Sequence, residues 1–160
     1  MVELEASLRE SLQAQAKVEL QASLLYLQAH YWFSDKHLKG IAAHFLKESD
    51  EERTHFKQML DYLDLRGALA KVEPPSIPEL NWTNETEVFE YFLDLERRNT
   101  ENINGLYKKA REAGDYDFER FMLTFVEHQV KSVDEWEALV EKVKSFNAMP
   151  GLIWHLDAII

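Results

Sequence analysis

Apolar residues recur along most of this chain at intervals of three and four positions, a spacing that places them on one face of an α-helix. The pattern persists over four long stretches, and a short apolar segment follows near the C-terminus. The sequence therefore predicts an all-α protein with one domain, residues 1–160. Its helices are predicted at about 4–33, 36–65, 84–113 and 115–146, with a short fifth helix at about 150–158.

Polar residues mark the breaks between these helices. Ser34 and Asp35 separate the first two, and Asp35 is a candidate to cap the second. Thr83 or Asn84 can cap the third helix and Asp115 the fourth, since short polar side chains accept hydrogen bonds from the first free N–H groups of a helix. Glycines follow the second and third helices, as is common at helix C-termini.

The connections between the helices predict their arrangement. The first two helices are joined by only two or three residues, as are the last two, so each pair must be antiparallel. The middle connection is about 18 residues long and contains three prolines. A helix of 29 residues is roughly 43 Å long, and 18 extended residues span up to about 60 Å. We therefore predict a four-helix bundle with one long crossover, the alternative being an irregular loop on an up-down bundle.

A polar residue interrupts each apolar stripe near the middle of its helix. The interruptions are Glu19, Glu52 with His55, Glu96 and Gln129. A single inward glutamate is often an edge residue that reaches solvent, and a lone histidine is often a hydrogen-bonded core residue. Here all four helices break their pattern at one level, which favours a shared site at the centre of the bundle.

The chemistry of this set predicts a metal centre. Three buried carboxylates cannot all stay ionised without compensation, and the stripes contain no lysine or arginine. Two divalent cations would supply the missing charge. The chain has no cysteine, so the ligands must be oxygen and imidazole, which suit iron or manganese better than a structural zinc site.

The net charge of −11 also favours cations, although acidity can serve solubility alone. It argues against nucleic acid as a partner, because phosphate binding requires a basic face. The chain has no apolar run of 18 residues and no signal peptide. We therefore expect a soluble protein with no membrane partner.

Local motifs resemble those of the ferritin family. The run Glu-Glu-Arg-Thr-His at 51–55 resembles the second-helix signature, and Glu19 followed by Tyr26 resembles that of the first helix. Glu96 fits the third helix, and the run Gln-Val-Lys-Ser at 129–132 resembles the fourth helix of animal heavy-chain ferritins. The resemblance covers nearly the whole chain and implies the ferritin-like form of the one-crossover bundle.

The resemblance implies a role for each site residue. Glu19, Glu52 and His55 would hold a first iron. Glu52 would bridge to a second iron, which Glu96 also binds. Gln129 would lie beside the second iron and hydrogen-bond its water or bound oxygen species.

The resemblance also implies an activity. The chain would be a ferroxidase with two irons, oxidising Fe(II) with O2 or H2O2 and storing ferric mineral inside a 24-subunit homo-oligomeric shell. Tyr26 would donate an electron and a hydrogen bond, and Glu48 and Glu51 are candidates for an additional iron. Arg53 stands where bacterioferritins carry a haem-ligating methionine, so no haem is expected. Ser132 replaces a carboxylate that many bacterial ferritins have, so the second iron should bind more weakly.

Other interpretations remain open at this stage. They are a di-iron oxidase with an organic substrate, a shell subunit without its own oxidation site, and a small DNA-protecting dodecamer. We expect a cytoplasmic location, or a plastid if a transit peptide has been removed. The apolar tail at 152–156 would be exposed on a monomer, which predicts an interface between subunits.

Overall fold

The computed structural model describes residues 2–160, and every regular element within that range is helical. The helices are α1 (Ala6–Asp35), α2 (Lys39–Leu65), α3 (Glu85–Ala113), α4 (Tyr116–Phe146) and α5 (Ile153–Ile159). α1 packs along α2 and α3 packs along α4, while α5 contacts α2 and α4. The predicted all-α bundle with a long middle connection and a short fifth helix is thus confirmed. None of the helices described is long and apolar enough to cross a membrane.

The predicted caps of α3 and α4 are present. The Asn84 side chain accepts a hydrogen bond from the Glu87 N–H at 3.0 Å. The Asp115 side chain accepts one from the Phe118 N–H at 3.1 Å. Gly114 ends α3 with a φ of +68°, in the left-handed region where glycine carries no steric cost. These ends form as predicted because each depends only on residues within one helical turn.

The start of α2 differs from the prediction. Asp35 is the last residue of α1 and caps nothing, because the chain turns through His37, whose φ is +62°. α2 therefore begins at residue 39 rather than 36. Its first turn is capped from elsewhere in the chain: the Asp157 side chain of α5 accepts a hydrogen bond from the Ile41 N–H at 2.8 Å. The other helix ends lie within three residues of the predicted positions.

Two apolar clusters fill the bundle, and the polar interruptions lie between them. The first cluster includes Phe33, Phe45 and Trp136, and the second includes Leu12 and Phe118. On each long helix the buried polar residue falls between the residues of one cluster and those of the other. The centre is therefore closed by apolar side chains above and below.

The apolar tail is only partly exposed, contrary to the prediction. Ile153 and Leu156 are buried against the first cluster, because α5 folds back on the ends of α2 and α4. Trp154 and Ile159 remain exposed by 52% and 71%. The surface available to a partner is therefore narrower than predicted.

Candidate metal centre

Three of the predicted ligands come together between α1 and α2. Glu19, Glu52 and His55 each offer one ligand atom, and these atoms all lie within 4.8 Å of one another. Glu52 and His55 are three residues apart on α2 and so share a face. His55 Nδ1 lies 3.5 Å from Glu52 Oε2. The two glutamates are almost completely buried, and His55 is the most exposed of the three.

Glu96 lies on the opposite pair of helices, where protein donors contact both of its oxygens. The Tyr26 hydroxyl donates a hydrogen bond to Glu96 Oε1 at 2.5 Å. The Gln129 side chain donates to Glu96 Oε2 at 3.0 Å. Gln129 also donates to Thr100 Oγ1 at 3.2 Å, which fixes the orientation of the amide. The structure thus places Tyr26, Glu96 and Gln129 in one buried network.

Burial raises the pKa of all three central carboxyl groups. The pKa of Glu52 rises to about 8, mainly through desolvation. Desolvation also raises the pKa of Glu19 well above its usual value, and the neighbouring Glu52 charge adds to the increase. The pKa of Glu96 is raised by burial, although the hydrogen bonds from Tyr26 and Gln129 oppose the change. Burial therefore makes each of the three carboxyl groups easier to protonate than it would be in water.

Two oxygens of the centre have no hydrogen-bond partner among residues 2–160. They are Glu19 Oε2 and Glu52 Oε2, both buried. An unpaired buried carboxylate oxygen is costly, whereas a divalent cation would satisfy both oxygens at once. The donor set of carboxylate oxygens and one imidazole nitrogen fits iron or manganese. The unpaired atoms and the donor chemistry agree that a metal fits here.

Sequence reasoning missed two residues behind Glu19. Gln15 and Asn99 are buried polar residues whose amides contact Glu19 Oε1 at 3.1 and 3.3 Å. Gln15 lies one helical turn before Glu19 and Asn99 three residues after Glu96, so each shares a helix face with a candidate ligand. That spacing was the available signal, but only the packing of α1 against α3 brings the two amides together.

His128 was also missed. Its ring lies 4.6 Å from that of His55, in a perpendicular arrangement. Both imidazoles line a cavity of about 560 Å³ between α2 and α4, which also contacts Phe125 and Asp61. Burial lowers the pKa of His128, and the nearby His55 adds to the decrease. His128 is adjacent to Gln129 in the sequence but lies off the apolar stripe, so periodicity did not identify it.

The candidates for an additional iron lie just before Glu52 on α2: Glu48 is one helical turn away, and Glu51 directly precedes Glu52. Burial, together with the charge of Glu51, raises the pKa of Glu48 to about 8. Glu48 Oε1 lies 3.8 Å from His44 Nε2. That nitrogen is buried and has no hydrogen-bond partner within the described chain. Glu51 is half-buried on the same side of α2.

Comparison with known proteins agrees with this fold and site. The ferritin-like domain matches residues 9–146. A bacterial non-heme ferritin of Bacteroides fragilis (strain 638R) is 30% identical over 137 residues, 86% of each chain. Ferritin BfrB of Mycolicibacterium smegmatis is 34% identical over 131 residues, which are 81% of this chain and 71% of that protein.

Solved structures give the same result. An open pore ferritin from the hyperthermophilic archaeon Archaeoglobus fulgidus has a TM-score of 0.93 and 25% identity, covering 99% of this chain and 96% of that one. A variant of PmFTN soaked in iron has a TM-score of 0.89 and 29% identity, covering 98% and 99%. A one-crossover helical bundle with carboxylates at its centre defines the class. The chain belongs to the ferritin family and has its iron-storage fold.

Proposed function

We propose that this chain is an iron-storage subunit that oxidises Fe(II) at the centre between its four long helices. The observation that carries the proposal is the group of Glu19, Glu52 and His55, which is buried and leaves two carboxylate oxygens without partners. Most buried polar atoms in proteins have a hydrogen-bond partner or another ligand, and a cation is the partner that we propose for these oxygens. A light-chain-like shell subunit would have no need of this group.

In this proposal Glu19, Glu52 and His55 hold the first iron, and Glu52 bridges to a second iron that Glu96 also binds. Each Fe(II) loses one electron. The pair of electrons and two protons reduce O2 to H2O2, or reduce H2O2 to two molecules of water. Carboxylates suit the product as well as the substrate, because negative oxygen ligands stabilise Fe(III) more than Fe(II).

Tyr26 and Gln129 act through Glu96 in this proposal. Their hydrogen bonds hold the Glu96 carboxyl in place. Gln129 would then turn its amide to water or the oxidant beside that iron. Tyr26 would supply the second electron when only one Fe(II) is bound, and a later Fe(II) would return that electron to the tyrosine. Ser132 offers no charge at this position. The second iron should therefore bind more loosely than the first and leave for the mineral.

An additional iron would bind at Glu48 and Glu51. The support for this part is the buried His44 nitrogen 3.8 Å from Glu48, since an ion held between the two atoms would satisfy both.

We propose that the chain binds no haem, because Arg53 is an exposed cation where a haem ligand would be required. We also propose a cytoplasmic location. The curated relatives named above are bacterial and lend no support to a plastid location.

The direct test is to add Fe(II) to the purified apoprotein in air and to follow ferric absorbance. Rapid oxidation is expected for the wild type. Glu52→Ala should reduce the initial rate at least tenfold, because it removes a ligand of both irons. Glu101→Ala, an exposed glutamate on α3, is the matched control and should keep the wild-type rate. Equal rates for wild type and Glu52→Ala would refute the bridging role, and a wild-type rate no faster than buffer would refute ferroxidase activity.

A further inference from the structure

Two buried amides form a bridge between α1 and α3 directly behind Glu19. Gln15 and Asn99 are only 3% and 5% exposed. The Gln15 Nε2 group donates one hydrogen bond to Glu19 Oε1 at 3.1 Å and another to Asn99 Oδ1 at 2.7 Å. The Asn99 Nδ2 group donates a third bond to Glu19 Oε1 at 3.3 Å. Three residues from two helices thus form one closed hydrogen-bonded ring.

The two carboxylate oxygens of Glu19 differ in their hydrogen bonds. Oε1 accepts two N–H groups, whereas Oε2 is buried and accepts none from the described residues. We propose that Gln15 and Asn99 are positioning residues that hold Glu19 so that it offers a metal one oxygen, Oε2. The inference rests on the metal centre proposed above and specifies how one of its ligands binds.

The physical reason is the cost of the alternative. For Glu19 to bind a metal through both oxygens, the carboxylate must turn and Oε1 must leave its two donors. Those donors would then be unpaired in the interior, where a missing hydrogen bond is not replaced by water. One-oxygen binding keeps the ring intact and leaves one more position on the first metal for water or the oxidant.

The same ring links the two halves of the centre. Asn99 lies three residues after Glu96, on the same face of α3. A hydrogen bond from Asn99 to Glu19 therefore fixes the α1 ligand relative to the turn of helix that carries Glu96. This contact sets the spacing between the two iron positions across the α1–α3 interface.

The test uses Co(II), which is stable in air and has visible absorption bands that report its coordination number. Gln15→Met and Asn99→Ala remove the donors independently, so one variant remains informative if the other fails to fold. Each should lower the affinity of the assembled apoprotein for Co(II) by about 10- to 100-fold, as loss of a hydrogen bond to a metal ligand commonly does. Each should also weaken the visible bands, because Glu19 is then free to bind through both oxygens and raise the coordination number.

Asn102→Ala is the matched control, since Asn102 is exposed on α3 and lines a cavity together with Asn99 without bonding Glu19. It should keep the wild-type affinity and spectrum. Wild-type affinity and spectrum in Gln15→Met and Asn99→Ala would overturn the inference, and so would an equal change in Asn102→Ala. The affinities of the wild type and of Glu52→Ala for Co(II) test the proposed centre itself. If the two proteins bind Co(II) equally, or if neither binds it, the proposed centre is refuted.

Discussion

Three carboxyl groups are buried at the centre of the bundle, where their ionised forms are costly. Glu19, Glu52 and Glu96 lie at the level where the two apolar clusters meet, and desolvation is the first cause of each raised pKa. A sequence selected only for stability would place leucine or methionine at such positions. A bound cation would offset the free-energy cost of burying these carboxylates, because it replaces their lost hydration. The charge state of single residues therefore links the stability of the fold to metal binding.

This link predicts the pH dependence of the metal-free protein. The pKa values of Glu48 and Glu52 are about 8 in the fold, against 4.5 for an unperturbed glutamate. Between these values the folded state holds protons that the unfolded chain has lost. Stability from these groups is therefore complete below pH 4.5 and is lost as the pH rises through 8. Urea unfolding of metal-free protein at pH 5.5 and 8 should show this decrease.

The matched variant for this prediction is Glu52→Gln, which keeps the shape and cannot ionise. Its decrease in stability between the two pH values should be smaller than that of the wild type, with Glu48 still contributing. Zn(II) added at pH 8 should stabilise the wild type more than Glu52→Gln, because ligand binding to the folded state stabilises it. The same decrease in both proteins would mean that Glu52 is already ionised in the fold.

At the scale of elements, side-chain hydrogen bonds join different segments of the chain at each end of the bundle. Asp157 of α5 caps the first turn of α2. At the other end, Arg66 follows α2 and donates hydrogen bonds to Asp115, to the Tyr62 hydroxyl and to the Val2 carbonyl. Apart from the local bond to Tyr62, each contact connects segments that are distant in sequence, so each of these stabilises the arrangement of helices rather than a single helix.

Gly40→Ala should disturb the contact between α5 and α2. A Cβ atom at Gly40 would lie 1.9 Å from the Asp157 carbonyl oxygen, a backbone atom that can move only with the whole of α5. We expect a loss of about 1–3 kcal/mol, as for other overpacked sites. Thermal unfolding checks this, with Gly105→Ala as the control. No atom lies within 4 Å of a Cβ at Gly105, so that helical substitution should stabilise by about 0.5–1 kcal/mol.

Arg66→Met should destabilise the protein by about 3 kcal/mol, because it removes one partner of a largely buried ion pair and leaves Asp115 uncompensated. The Arg66–Asp115 pair has an N–O distance of 2.6 Å, and Arg66 is buried. Denaturant unfolding measures the loss. Arg120→Met is the control: its pair with Asp117 is exposed on the surface and should contribute almost nothing. Similar losses in both variants would contradict the structural role of Arg66.

At the scale of the whole molecule, one feature of the surface suits a cation cargo and another suits contacts between subunits. The net charge of −11 attracts cations towards the protein. Several large apolar residues are exposed, which is costly for a monomer unless subunits cover them. They include Leu69 and Val72 on the long connection, and Trp154 and Ile159 on α5.

Assembly gives a prediction at this scale. The subunit mass is 18.8 kDa, so the 24-subunit shell implied by the ferritin resemblance should have a mass of about 450 kDa. Light scattering on the apoprotein measures it. Trp154→Glu places a charge on the exposed side of α5 and should shift the population to smaller species while the helix content stays unchanged. Glu52→Ala should keep the full-size particle, and a wild-type mass near 19 kDa would refute the shell.

The sequence by itself determined what depends on neighbours within a few turns. The 3.6-residue period predicted the four long helices, and the caps at Asn84 and Asp115 form because donor and acceptor lie three residues apart. The polar interruptions predicted which residues meet, because aligned helices of equal length bring their midpoints to one level. Residue types alone then restricted the ligands to oxygen and imidazole.

Only the tertiary structure decided the contacts between residues that are distant in the chain. Gln15 and Asn99 are 84 residues apart, and Asp157 caps α2 at Ile41, 116 residues before it. His128 meets His55 only once α4 lies against α2. No local period encodes these pairs, because they depend on the rotation and offset of one packed helix against another. The candidate ligands were therefore visible in the sequence, whereas the Gln15 and Asn99 amides that contact Glu19 were not.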